Sequence, residues 1–331
     1  MCKVEGEGVT LSDAIIIEGV TKTFGPKLAV DNLSLRVPAG SLTGVIGPNG
    51  AGKTTTIRMI MSIIFPDRGT LSVLGKASAV ESKDRIGYLP EERGLYRKMK
   101  VGALLTYMAR LKGIDSGAAS RKVAHWLDKV DLGDVAKKKC EELSKGMQQK
   151  VQFIAAVIHE PDLLILDEVF SGLDPGNRKL MRKLISEQHQ RGCTILFSTH
   201  AMYEAEQLCD RILMIHHGRK ALDMTLRDVW RQYDPRSIVA EPAGEPVEPA
   251  PFAEMPGVAV ARSSGSGLEL VLAEGSDGAS VMASLAATGR FRSIALRRPS
   301  LEDIFLSIVE PDDETIAGLK SESVGAAGGG K

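Results

Sequence analysis

Short apolar runs punctuated by turn residues open the chain. Ala14–Val20, Leu33–Val37 and Leu42–Ile46 each read as a strand, with Pro38-Ala39-Gly40 as the turn between the last two. The spacing then changes, and Lys53–Ile64 predicts a helix that opens directly behind a glycine-rich loop. From about Glu91 to Glu160 the texture is mainly helical. Val101–Lys112 and Ser120–Val130 carry apolar residues at helical spacing among Ala, Leu, Lys and Arg. Leu163–Leu166, Thr194–Ser198 and Arg211–Ile215 are short continuous apolar runs, the pattern of strands buried on both faces, and the last ends at a His217-Gly218 turn. Strands alternating with helical patterns predict an α/β core around a parallel sheet.

The periodicity breaks near Arg231–Glu254. The stretch EPAGEPVEPAPFAE is rich in Pro, Glu and Ala, so residues 234–256 are expected to form a linker or long loop behind a large domain spanning 14–233. Beyond it, Val258–Arg262 and Leu268–Leu272 read as strands flanking an SSGSG turn. Ser280–Ala287 reads as a helix and Phe291–Leu296 as a strand. Ser300–Ile308 reads as a helix capped by Ser300, with Asp303 in its first turn. These elements predict a small α+β domain over 257–310. Residues 1–13 and 311–331 read as tails, the second expected to be disordered.

A chain of 331 residues is too long for one ordinary core, which agrees with a large domain plus a small one. Apolar residues at 43% and charged residues at 25% are the balance of a globular protein. Lys and Arg (42) balance Asp and Glu (42), so no global field favours nucleic acid or an anionic membrane, and no nucleic-acid partner is expected. Cys2, Cys140, Cys193 and Cys209 are scattered without metal-ligand spacing and are expected to be reduced thiols in a cytoplasmic protein. The N-terminal stretch lacks the apolar segment of a signal peptide. The longest apolar runs fall far short of the roughly 20 residues that cross a bilayer. Any membrane role is therefore expected to come through a partner.

Two features carry chemistry. Gly47, Pro48, Asn49, Gly50, Ala51, Gly52, Lys53 and Thr54 match GxxxxGK[ST] between a predicted strand and a predicted helix, the context that motif requires. Glycines let backbone N–H groups turn inward around a phosphate, and the helix N-terminus adds the positive end of its dipole. Lys53 can reach the β- and γ-phosphates of ATP, Thr54 can offer its hydroxyl to Mg²⁺, and Thr55 is grouped with the nucleotide-binding residues. The second feature is the strand Leu163–Leu166 ending in Asp167 and Glu168. Asp167 is expected to hold Mg²⁺ through water, and Glu168 to polarise the attacking water as general base. A solvated acidic turn is the alternative when the pair stands alone; beside a phosphate loop it reads as catalytic.

Many enzymes share those two features; a third separates them. Leu143-Ser144-Lys145-Gly146-Met147-Gln148-Gln149-Lys150 precedes a helical run and resembles the LSGGQ signature of the ATP-binding cassette (ABC) family. Lys145 replaces the first of that motif's two glycines and Met147 its glutamine. Ser171-Gly-Leu-Asp174 resembles the family's dimer-contact loop, and Ser198-Thr199-His200 its switch histidine. Phe24 lies where the family places an aromatic that stacks on adenine. Glu91, in Gly87-Tyr-Leu-Pro-Glu91, stands where the family usually carries a glutamine that touches Mg²⁺ and links to the membrane partner; a carboxylate oxygen also suits that ion. The other histidines, His125, His159, His189, His216 and His217, are read as surface or packing residues.

The resemblance covers roughly Ala14–Ala221. Together with Pro299-Ser-Leu-Glu-Asp-Ile-Phe305 it looks like ATP-binding subunits of ABC-2-type exporters with a small C-terminal accessory domain, sodium-efflux ATPases among them. It implies a P-loop NTPase cassette with a parallel core sheet, an antiparallel β subdomain and a helical signature subdomain over about 91–160. It also implies ATP hydrolysis with Mg²⁺, a separate membrane permease, and a peripheral position on the inner face of the plasma membrane. A head-to-tail dimer with a second copy or a homologous cassette follows as well, in which Ser144, Lys145, Gly146 and Met147 reach the γ-phosphate held by the other subunit. His200 would position Glu168 and water, and Asp174 would contact the dimer partner. Leu95, Tyr96 and Met99 are candidate permease contacts, with packing inside the helical block as the alternative. Two other readings remain: a soluble mechanical ATPase of the same superfamily acting in translation or DNA repair, and a non-hydrolysing regulatory module. The substrate does not follow from this sequence.

Overall fold

The computed structural model describes residues 13–92, 94–233, 237–265 and 267–309. The chain runs through β1 (Asp13–Phe24), β2 (Lys27–Pro38), β3 (Leu42–Ile46), α1 (Lys53–Ile60), β4 (Arg68–Val73) and β5 (Ile86–Leu89). Helices α2 (Val101–Leu111), α3 (Ser116–Lys129) and α4 (Lys145–Val157) follow, then β6 (Leu163–Asp167), α5 (Pro175–Gln190), β7 (Thr194–Thr199), α6 (Met202–Leu208), β8 (Arg211–His216) and β9 (Arg219–Thr225). Of the expected terminal tails, only Asp13 lies among the described residues, and it begins β1.

Six strands form the central sheet in the order β5-β6-β7-β3-β8-β9, all parallel except the final β8–β9 pair. Every residue of β3, β6 and β7 is buried, as continuous apolar runs in a parallel sheet require. A separate antiparallel sheet, β2-β1-β4, closes over the apolar face of α1; Ile15, Ile17, Val30 and Leu33 share a core with Ile57, Met59 and Ile60. Helix α1 stops at Ile60, short of the expected Ile64. Ser62 turns left-handed (φ 55°), and its N–H donates to Met59 O while that of Ile63 donates to Arg58 O. This is the paired C-terminal closure that ends many helices, here without a glycine.

The second compact unit begins at Leu226, ahead of the boundary expected at 233. It contains α7 (Leu226–Gln232), β10 (Ser237–Pro242), α8 (Ala250–Ala253), β11 (Val258–Ser264), β12 (Gly267–Leu272), α9 (Gly278–Ala287), β13 (Phe291–Arg297) and α10 (Leu301–Val309). The linker expected over 234–256 is corrected here. Ser237–Pro242 is a strand between β12 and β13 in an antiparallel sheet of order β11-β12-β10-β13, and Phe252 of α8 is buried in that sheet's core. Ile238, Ala240 and Pro242 alternate inward, and proline is tolerated because it is the last residue of the strand, at a register irregularity. Ser300 caps α10 reciprocally with Asp303: Asp303 N–H donates to Ser300 Oγ, and Ser300 N–H to Asp303 Oδ2.

Candidate active site

The loops behind four neighbouring strands, β5, β6, β7 and β3, carry the chemistry-bearing residues. The registers Leu89↔Leu166, Asp167↔Ser198 and Ile46↔Thr199 bring the C-terminal ends of these strands level. That edge is where parallel α/β sheets bind ligands. Chain order is Gly47–Thr54, Glu91, Asp167-Glu168, His200; sheet order converts it into one cleft of about 450 Å³. Lys27, Ala29, Asn49, Gly50, Gly52, Lys53, Thr54, Thr55, Glu91, Glu168, Ser171 and His200 line it.

The loop backbone is built for an anion. Gly47 has φ 151°, and a Cβ there would lie 2.2 Å from Ile215 O; Gly52 has φ 108°, and a Cβ there would lie 2.6 Å from Ala29 O. Side chains are therefore excluded where the loop leaves β3 and where it enters α1. Lys53, 5% exposed, donates from Nζ to Gly47 O (2.8 Å) and Pro48 O (3.1 Å) and stands 3.6 Å from Glu168 Oε1.

The carboxylates behind β6 are held from several sides. Ser198 Oγ donates to Asp167 Oδ1, and Thr54 Oγ1 donates to the same oxygen at 3.4 Å. Burial pushes the Asp167 carboxyl above its ordinary range; the Ser198 and Thr54 hydrogen bonds oppose that shift, while the negative charges of Glu91 and Glu168 add to it. Glu168 adopts φ 51°, a left-handed conformation unfavourable for a residue with a Cβ. Hydrogen bonds on both sides fix it. Its N–H points at Ser198 O and Oγ (3.1 and 3.2 Å), and its carbonyl accepts from Ser171 N–H (3.0 Å). Its Oε2 meets His200 Nδ1 at 2.9 Å, with Glu168 buried and His200 half exposed.

Glu91, Asp167 and Glu168 thus converge where Lys53 is the one cation lining the cleft from within the loop. A hard cation fits this set: the Thr54 hydroxyl and the Asp167 and Glu91 carboxylates are all oxygen donors, the class that Mg²⁺ takes. Among the described residues no cluster of three or more His, Cys, Asp or Glu forms a metal cage of its own.

The remaining expected residues lie elsewhere. Phe24 is exposed (48%) at the end of β1, with Lys22 Nζ 5.6 Å from its ring centroid, and does not line the cleft. Ser144 caps α4, accepting from Met147 N–H at 3.3 Å, and none of Ser144, Lys145, Gly146 or Met147 lines the cleft. A Cβ on Gly146 would lie 2.9 Å from Asn177 Nδ2. Asp174 caps α5 through Asn177 N–H (2.9 Å) and Asn177 Nδ2 (2.5 Å), and these bonds hold its carboxyl below the usual carboxylate range. Lys27 and Ser171 line the cleft without having been assigned a role there; Lys27 sits three residues beyond Phe24, the one signal that pointed to it.

A second concavity, about 300 Å³, is mainly apolar, lined by Met61, Ala79, Val80, Ile86, Gly87, Tyr88, Met108, Ala155, Ala156 and His159 together with Lys83 and Lys112. Val80 is 60% exposed. Of the candidate permease contacts, Tyr96 is exposed and stacks edge-on with Tyr107 (6.5 Å), while Leu95 and Met99 are half-buried. No helix among the described residues is long and apolar enough to cross a membrane. Cys140, Cys193 and Cys209 are buried free thiols, and Cys2 lies outside the described residues.

Comparison with known proteins agrees with this geometry. Residues 30–171 match the family model described as ABC transporter, and residues 225–309 match that of the ATP-binding protein DrrA1-3-like, C-terminal domain. The ABC transporter ATP-binding protein YhaQ of Bacillus subtilis is 40% identical over 296 residues, 89% of this chain and 98% of that protein. Nod factor export ATP-binding protein I of Burkholderia lata is 41% identical over 209 residues, 62% of this chain and 69% of that one. Among solved structures, one titled as the ATP binding subunit of an ABC transporter superposes with a TM-score of 0.61 at 30% identity, over 66% of this chain and 92% of that one.

Proposed function

The chain belongs to the ATP-binding proteins of ABC transporters, which hydrolyse ATP to power transport, and from that premise we propose that it drives a separate permease in an ABC-2-type exporter. The observation that carries the mechanism is the placement of Glu168: buried at the cleft wall, 2.9 Å from His200 and 3.6 Å from Lys53. ATP seats its phosphates on the backbone N–H groups of Gly50–Thr55 with Lys53 against the β- and γ-phosphates, and Phe24 stacks on the adenine. Thr54, Asp167 and Glu91 would hold Mg²⁺, which would supply charge neutralisation for the phosphates when bound. Glu168 accepts a proton from the attacking water, and His200 fixes the orientation of that carboxylate while its exposed ring faces the γ-phosphate.

The cleft is half of a site. Ser144–Met147 stand away from it at an exposed helix N-terminus, which favours their acting on the ATP of a second subunit, with Asp174 nearby at the same interface. The second subunit is another copy or a homologous cassette. The mainly apolar concavity beside β5, with exposed Val80 at its wall, is a candidate contact for that permease. The chain then sits peripherally on the inner face of the plasma membrane.

The test is Glu168→Gln in the purified full chain. It is expected to bind ATP as the wild type does, to accumulate as an ATP-bound dimer on size-exclusion chromatography, and to lose turnover. Normal turnover in that variant removes Glu168 as the base. A variant that stays monomeric with ATP and Mg²⁺ removes the shared site.

A further inference from the structure

Helix α4 is charged with more than its N-terminus. Two glutamines, Gln149 and Gln152, lie three residues apart on one face, and both are buried (4% and 7% exposed) where an apolar side chain would pack as well. Gln149 Nε2 donates to Val169 O at 3.2 Å. Val169 directly follows Glu168, so this bond grips the backbone on the downstream side of the general base, in the segment already bent left-handed. Gln152 Nε2 donates to Glu92 O at 3.3 Å, directly downstream of Glu91. The other amide atom, Gln152 Oε1, is buried without a partner. A half-satisfied buried amide costs stability.

The same helix is pinned at its start. Gln148 Nε2 donates to Leu143 O (3.1 Å) and Cys140 O (3.3 Å), and Ser144 caps the first turn. Ser144–Met147, Gln149 and Gln152 therefore belong to one capped helix, with about 1.5 Å of axial rise per residue between them. We propose that α4 is a coupling rod, and that Gln149 and Gln152 are positioning residues. They transmit the seating of the signature segment on a second subunit's ATP to this chain's own Glu168 and Glu91 loop. This inference rests on the reading of Ser144–Met147 as acting in trans and of Glu168 as the base. It adds a reason for one subunit's signature contact to be felt at its own hydrolytic site.

The experiment replaces each glutamine by methionine, which keeps length and burial and removes the donor. The full-length chain is assayed for ATP binding, melting temperature, and turnover as a function of ATP and Mg²⁺. Gln149→Met is expected to lower kcat about tenfold with ATP affinity and melting temperature held, because a base displaced by a fraction of an ångström loses rate without losing binding. Gln152→Met is expected to raise the Mg²⁺ concentration for half-maximal turnover several-fold, with a smaller fall in kcat. Combining Gln149→Met with Ser144→Ala is expected to cost less than the product of the two single losses, since one path carries both. Should either methionine variant fail to fold, Gln149→Asn and Gln152→Asn, with amides too short to reach, are read for the same split. Wild-type kcat and Mg²⁺ dependence in both variants overturn the proposal. So does a joint fall of kcat, ATP affinity and melting temperature, the mark of packing alone. Glu168→Gln assayed alongside separates the levels: an inactive Glu168→Gln beside a normal Gln149→Met removes only the rod, whereas an active Glu168→Gln removes the base on which it rests.

Discussion

The parallel sheet of the cassette and the antiparallel sheet of the C-terminal unit handle charge in opposite ways. Strands β3, β6 and β7 are buried along their whole length, and titratable groups appear only at the last residue of β6, Asp167, and past the C-terminal ends. There Glu168 pairs with Lys53 and His200 while Asp167 is met only by hydroxyls, so carboxylates outnumber cations, and a cationic ligand has something to complete. The small sheet instead carries a charge in mid-strand. Glu269 of β12 is 5% exposed and is answered by Arg262 Nε at 3.0 Å and Arg297 Nη1 at 3.4 Å, while Arg297 Nη2 also reaches Asp303 of α10 at 3.4 Å. Its outer strands β11 and β13 are largely exposed. One sheet gathers an excess of carboxylates at an edge; the other neutralises its charge where it stands. Buried charges without full local partners mark a site, and buried charges with them mark a structural tie.

The sharpest break of that contrast is Lys53→Ala. It is expected to cut turnover by a hundredfold or more by removing the phosphate cation, with the stability of the C-terminal unit unchanged, as steady-state ATPase and denaturant unfolding will report. Glu269→Ala is expected to do the reverse. It strands two arginines that are each about half exposed, so a loss of about 2 kcal/mol of C-terminal unit stability is expected in denaturant unfolding, below the full range for breaking a buried pair, with cassette turnover unchanged. Loss of ATPase in Glu269→Ala in proportion to that destabilisation would erase the distinction between site and tie. Phe24→Ala is expected to weaken ATP binding by about 1 kcal/mol, roughly fivefold, measured by titration of a fluorescent nucleotide, with kcat at saturation preserved.

The smallest effect concerns His159, whose ring nitrogen Nε2 lies 3.1 Å from Ile86 O. Burial, reinforced by nearby Lys112, lowers its pKa from 6.5 to about 4. The folded state therefore holds the ring neutral. Its contribution to stability is complete above pH 6.5 and is lost as pH falls from 6.5 toward 4. His159→Gln is expected to flatten the pH dependence of the melting temperature in that window.

Much of the site was legible because its parts are short and contiguous. The glycine loop, the strand ending in Asp167-Glu168 and the strand ending in His200 each announce themselves over a few residues, and the continuous apolar runs predicted the parallel sheet. What local pattern could not give was order across the sheet: nothing in the sequence says that β7 lies between β3 and β6, which is what sets His200 against Glu168. Strands β4 and β5 passed unseen, being short and mixed in polarity. Strand β10 is masked in the sequence because the prolines and glutamates after Ser237 outweigh the inward alternation of Ile238, Ala240 and Pro242. Gln149 and Gln152 looked like any polar residues of a helix; only their burial and their carbonyl partners set them apart.

The cleft is also a late product of folding. Thr54 and the Asp167 oxygen it reaches are 113 residues apart along the chain, with the helical block between them. Contacts of such sequence separation form slowly, after local hairpins and helices, because the intervening chain must be ordered first. No fragment ending before β7 holds both Lys53 and His200 in place. Nucleotide binding is therefore available as a report on completed folding of the cassette. A nascent or truncated chain stays silent toward ATP, and the ligand, binding only the finished arrangement, holds the far-apart segments together against unfolding.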